Sequence, residues 1–261
     1  MKTTSYFFLF LIIGLISACK KDEPVTYQDG KIRLQRIKSE DGRVQSEFNY
    51  DTQGRVLSQK NYSGTRKTPD EITYIYDGQG RLIKIETSSL GYLSCAACEG
   101  PAMKFTQTFE YDGNGRVSGT KNLNEKGWVA SWWAYEYDAA GRVVRQNGFS
   151  PAGVKGNVNT FTYDARSNIT KTETFAADGK LTNRNTYEYD KRPNPFQPLY
   201  LGTYIAFFRS PNNVVRSKSE FLSPGGSPPS EGSTRYDYDS ATGYPVRADH
   251  GSGSVSLFEY K

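Results

Sequence analysis

One phrase recurs through this chain and limits what it can fold into. Tyr50-Asp51-Thr52-Gln53-Gly54-Arg55-Val56 is the first clear copy. It returns as Tyr76-Asp77-Gly78-Gln79-Gly80-Arg81-Leu82, then at Tyr111 to Val117 and at Tyr137 to Val143. Tyr163-Asp164 and Tyr189-Asp190 keep the pair and lose the Gly-Arg, Tyr238-Asp239 has one extra turn residue, and Tyr27 to Ile32 reads as a decayed first copy. The steps between these tyrosines, from Tyr50 to Tyr238, are 26, 35, 26, 26, 26 and 49 residues. A fixed step of this size marks an internal repeat.

The phrase has a mechanical reading. An aromatic residue stands two positions before each tyrosine, as in Phe48, Tyr74, Phe109 and Tyr135. That spacing puts both rings on one face of a strand. Aspartate opens a turn by accepting from the backbone N–H two residues on. Glycine three residues later supplies a positive φ. The Arg-Val or Arg-Leu pair starts the return strand. Second turns such as Asn124 to Gly127 and Ser150 to Gly153 close each unit. Two strands of about nine residues and two turns of about four fill the step. The expectation is all-β: an antiparallel meander of about fifteen strands, forming one extended, curved sheet.

The phrase resembles the YD repeat of RHS and teneurin-type proteins, over most of residues 27–190 and again at 236–260. In that family successive hairpins build a sheet that spirals into a hollow shell, and the longer members enclose cargo. The resemblance implies the sheet for this chain. With far fewer repeats and no segment after Lys261 to enclose, it implies a partial shell without encapsulation. As a whole the chain looks like the short YD-repeat lipoproteins of Bacteroidetes, whose function is unknown.

The first residues read as an address. Lys2 is followed by an apolar run from Tyr6 to Ile16, too short to span a bilayer. Ile16-Ser17-Ala18-Cys19 resembles a lipobox, which makes 1–18 a signal peptide and Cys19 the lipidated N-terminus. Ordinary signal cleavage with Cys19 incidental is the alternative. Lys20, Lys21, Asp22 and Glu23 resemble the surface-export signal of Bacteroidetes lipoproteins, or form a plain charged tether over 19–26. The expected place is the outer membrane, lipid-anchored and facing outward, the alternative being periplasm-facing.

A single β domain is expected over 27–261, with insertions at about 88–101 and 192–231. The first insertion holds Cys95 and Cys98, read as a disulfide in an exported protein. The second holds Pro193, Pro195, Pro198, Pro211, Pro224, Pro228 and Pro229 around the apolar run from Leu199 to Phe208. Proline cannot sit in a central strand, so the meander is expected to stop there. The segment is expected to cover one greasy face of the sheet as a loop or short helix.

The chemistry is sparse. There are 33 Lys+Arg against 28 Asp+Glu, a net charge of +5 that does not point to nucleic acid. His250 is the only histidine and sits in a turn-like Asp-His-Gly-Ser-Gly context, unsuited to a triad or a zinc site. No cofactor is expected, and no enzyme activity. The aspartates recur at every turn, which fits geometry better than catalysis. The repeat arginines are expected over neighbouring rings or paired with turn aspartates. Trp128, Trp132 and Trp133 are the candidate ligand contacts, with Trp133 on the face of Tyr135 and the other two opposite. Three functions compete: a binding or adhesion scaffold with a glycan or envelope protein as partner, an assembly component of the envelope, and a polysaccharide-acting enzyme.

Overall fold

A computed structural model describes residues 32–62, 68–89, 103–197, 199, 206–223, 225–251 and 253–261. The strands are β1 (Leu34–Ser39), β2 (Val44–Tyr50), β3 (Val56–Asn61), β4 (Asp70–Tyr76), β5 (Leu82–Ser89), β6 (Met103–Tyr111), β7 (Val117–Leu123), β8 (Val129–Tyr137) and β9 (Val143–Phe149). They continue as β10 (Lys155–Tyr163), β11 (Ile169–Phe175), β12 (Leu181–Pro193), β13 (Asn212–Phe221), β14 (Ser230–Ser233), β15 (Arg235–Tyr238), β16 (Pro245–Asp249) and β17 (Val255–Tyr260). One short helix, α1 (Ala206–Arg209), precedes β13. All 17 strands belong to one antiparallel meander.

The sheet curls further than the partial shell expected from sequence. β1 pairs with β2 on one side and with β17 on the other. The backbones of Arg33 and Lys261 bond to each other in both directions. β14 and β15 act as two halves of one strand, the first paired with β13 and the second with β16. The result is a nearly closed barrel. Closure removes the free edges that an open sheet must protect.

Every Tyr-Asp turn lies at one rim. β1 also begins there, because the Tyr50 hydroxyl donates to the Leu34 carbonyl. The inner wall near this rim carries the core. Phe48, Val56, Tyr74, Leu82, Phe109 and Phe258 form one buried cluster, and Tyr135, Val143, Phe161 and Ile169 form another. Described residues of the segment after β12 pack against this end from inside. Phe196 and Leu199 join the first cluster and Ala206 joins the second. The Phe196 ring lies 5.9 Å from Phe258 and 5.8 Å from Phe208, edge-on in both cases.

Two expectations need correcting here. The described residues form 17 strands against about fifteen expected. The meander does not stop over 192–231: β13 lies inside that segment and pairs with β12 from Asn183↔Phe221 to Pro193↔Asn212. The prolines explain why. They fall at 193–211 and 224–229, which leaves 212–221 free of them. The described residues of the shorter piece between Pro193 and Pro211, Phe196, Leu199, Ala206 and Phe208 among them, pack against the inner core clusters; the rest of the expected apolar cover, 200–205, lies outside the described residues.

Gly141 has a φ of 76° in its turn, and Gly115 has the same value. Valine at Gly141 should cost about 1–3 kcal/mol through backbone strain, although nothing lies within 4 Å of the added carbon. A thermal melt of Gly141→Val against wild type measures it. Ser167 holds the equivalent position in the degenerate fifth copy, with a φ of 68°.

Candidate functional site

The repeat unit locks each hairpin to the one before it. In the first turn, Asp51 Oδ1 accepts from the N–H groups of Gln53 and Arg55, and Oδ2 accepts from the Arg55 guanidinium. The same three bonds recur at Asp77, Asp112 and Asp138. Held by its aspartate, each arginine lies over the tyrosine of the following unit. Arg55 is 4.5 Å from the Tyr76 ring centre, and Arg116 is 4.7 Å from that of Tyr137. The tyrosine hydroxyl then donates to the carbonyl just after that arginine: Tyr76 to Val56, Tyr137 to Val117, Tyr163 to Val143. The arginines thus meet both expectations at once. These side chains are scaffold.

Ionisation agrees with that assignment. The Arg81 backbone N–H, then its guanidinium, hold the Asp77 carboxyl below the usual carboxylate range, and Arg142 does the same to Asp138. Burial pushes the Tyr76 hydroxyl up to about 12, with Arg55 pulling the other way, so it stays a donor. The carboxylates are lower in the folded than in the unfolded chain. Their contribution is therefore present above the unfolded value, near 3.9, and is lost as pH falls through the folded values. The turn carboxylates should lower the melting temperature below about pH 4, after a smaller fall below about pH 6.5 from His250, whose pKa burial lowers in the folded chain. A series of melts at constant ionic strength checks this.

The two copies that lost Gly-Arg hold the internal plug. Asn168 replaces the arginine and is fully buried. Its amide donates to Asp164 and to Asn212 Oδ1, and its carbonyl oxygen accepts from the Asn212 N–H. Ser210, at the end of the plug, accepts from the Ile169 N–H and donates to the Tyr189 hydroxyl. Asp190 accepts from the Asn213 N–H and from the Tyr238 hydroxyl. The sequence signal was present: substitutions cluster where the repeat decays, just before the proline-rich stretch.

Away from the plug, the two faces of the wall differ in chemistry. The outer face carries paired charges in register across strands. Glu47 stands between Arg36 and Lys60, Lys60 meets Glu71, and Lys121 meets Glu110. Arg184 joins Glu173 and Glu220, and Arg216 meets Glu188. The inner face is built of amides and hydroxyls. Gln107 donates to Asn122, which donates to Ser131. Asn159 donates to Gln146, Thr174 to Asn159, and Ser219 to Asn185. At the rim opposite the Tyr-Asp turns, this wall opens into a cavity of about 410 Å³ lined by β4 to β8.

The sequence-selected residues fare unevenly. Cys19, Cys95 and Cys98 lie outside the described residues. The three tryptophans do not form one site. Trp133 faces inward against the second core cluster, so close to Gly148 that any added carbon there would meet its ring at 2.7 Å. Trp132 stacks on Phe149 on the outer face, with centroids 3.8 Å apart. Trp128 is 66% exposed on a turn beside Lys126. His250 sits between Thr234 and Ser256. Burial lowers its pKa against a smaller opposing effect of Asp249. The inner amide wall was missed, because isolated Asn, Gln, Ser and Thr read as ordinary surface.

Comparison with solved structures finds alignments at low identity. A porin-like protein from Bacteroides uniformis aligns at 11% identity over 87% of this chain and 98% of its own, with a TM-score of 0.41. The Photorhabdus luminescens Tc holotoxin pore aligns at 14% identity over 83% of this chain, with a TM-score of 0.23. This chain spans 13% of that one's length. No curated protein sequence matches the chain. Among family descriptions, RHS Repeat matches residues 50–92, the stretch that holds the first two complete Tyr-Asp turns.

Proposed function

We propose that this chain is a non-enzymatic, lipid-anchored outer-membrane protein that faces outward, its barrel a repetitive scaffold for binding or adhesion. The charge-laddered outer wall is the observation that carries this reading. A lysine or arginine facing lipid at the bilayer midplane costs about 2–4 kcal/mol, and here several strands carry one at mid-height. Such a wall belongs in water. Membrane attachment then falls to the acyl chains on Cys19, at about 0.8 kcal/mol per buried CH2. Residues following Cys19 lead into β1 at the Tyr-Asp rim, against which the plug packs from inside.

Cys19→Ser should move the protein from the membrane pellet to the soluble fraction; unchanged fractionation would overturn the anchor. An antibody to an epitope placed in the 124–127 turn should label intact cells. Labelling only after permeabilisation would put the barrel on the periplasmic side. Cells lacking the gene should attach less well to polysaccharide-coated or protein-coated surfaces. Unchanged attachment to both would remove the binding role.

A further inference from the structure

The cavity at the open rim has a composition suited to one class of ligand. Its apolar side is Ile72, Ile85, Leu123 and Ala130 with the rings of Tyr74 and Phe105. Its polar side is Thr87, Gln107 and Asn122. Among the described residues, none of the side chains that line it carries a charge. Phe105 shares the inner face with buried Phe109, yet is 46% exposed. It is a ring left open where its neighbour is core. The volume falls in the range of small-ligand pockets.

Each alternative occupant meets an obstacle. An ionised ligand would lose water and find no opposite charge here, since the wall's ion pairs lie on the outer face. An acyl chain would bury Gln107 and Asn122 against hydrocarbon, leaving their spare hydrogen-bonding capacity unmet. An extended peptide needs a free strand edge, and β4 to β8 are each paired on both sides. A sugar ring meets none of these obstacles. One face of a pyranose presents C–H groups that stack on an aromatic ring. Its rim presents hydroxyls that donate and accept, as amides and hydroxyls on the wall also do. Beyond Asn122 the same neutral chemistry continues through Ser131, Gln146, Asn159 and Thr174. A chain of several sugar units therefore has a track to follow.

We infer that the open-rim cavity binds a sugar unit of an uncharged polysaccharide, stacked on Phe105 and hydrogen-bonded to Gln107 and Asn122. This rests on the reading of the barrel as a binding scaffold and names its site and ligand class.

Native electrophoresis of the full lipoprotein in detergent tests it. The gels contain dextran, mannan, xylan or galactan, or the charged polymers polygalacturonate and chondroitin sulfate. At least one neutral polymer should retard the protein, and the charged ones should not. Phe105→Ala should weaken that retardation about tenfold. Phe105→Trp should preserve it, and so should Leu57→Ala on the outer wall. The exposed position of Phe105 keeps folding out of the comparison, and a melt of each variant checks that. Retardation by none of the neutral polymers overturns the inference, as does preference for the charged ones. Retardation that Phe105→Ala leaves intact also overturns it, because binding then lies elsewhere on the barrel; in that case the scaffold reading stands. The scaffold reading itself fails on the attachment assay.

Discussion

Tyr137→Ala is expected to destabilise the barrel by about 3 kcal/mol, the low end of the range for truncating a large core ring, because Tyr137 is half-buried against the second cluster. Three losses combine. The ring leaves the second core cluster. The Arg116 guanidinium, 4.7 Å above it, loses its partner. The Val117 carbonyl loses the hydroxyl 2.6 Å away. Tyr137→Phe separates these, since it removes only the hydrogen bond, and should cost about 1 kcal/mol. Urea unfolding of both variants measures the two costs. If Tyr137→Ala were neutral, the repeat tyrosines would be an open platform rather than a scaffold.

Asn168→Ala is expected to cost about 3 kcal/mol or more, because it strands several buried groups at once. Asp164 loses a donor, and Asn212 loses partners for both its backbone N–H and its side-chain oxygen. Asn168 is completely buried, so water cannot replace these bonds without opening the wall. Replacing asparagine at an exposed turn, as in Asn114→Ala, serves as the contrast and should change stability by less than about 0.5 kcal/mol. The plug should loosen before the wall does. Proteolysis near Pro193 in Asn168→Ala, under conditions where wild type is resistant, would report that order. Equal resistance of the two proteins would mean that the plug is held by its apolar contacts alone.

The hairpins were legible because their determinants are local. Asp51 reaches N–H groups two and four residues on, and Gly54 needs its positive φ whatever the rest of the chain does. Closure was not legible. The β1–β17 pair depends on how much each hairpin bends, and a 26-residue step fixes length rather than curvature. β13 was hidden because the prolines were weighed by segment instead of by position. The open-rim cavity was not legible in the sequence. Tryptophans stand out in a sequence, whereas Gln107, Asn122 and Thr87 gain meaning only when neighbouring strands bring them onto one wall. Phe105 looks like any strand aromatic until Phe109 is seen buried and Phe105 is not.

Joining the first described strand to the last has a kinetic consequence for folding. Lys38 on β1 pairs with Glu259 on β17 across 221 residues of sequence. Each hairpin can form as it emerges, since its contacts are with the unit just before it. The ring cannot shut until the last strand has arrived. During that interval β1 has an unpaired edge, the kind of surface on which chains aggregate. Long-range pairing is also the slow part of β folding. The final seam is thus expected to set the folding rate, and β1 is the edge most in need of protection until the seam closes.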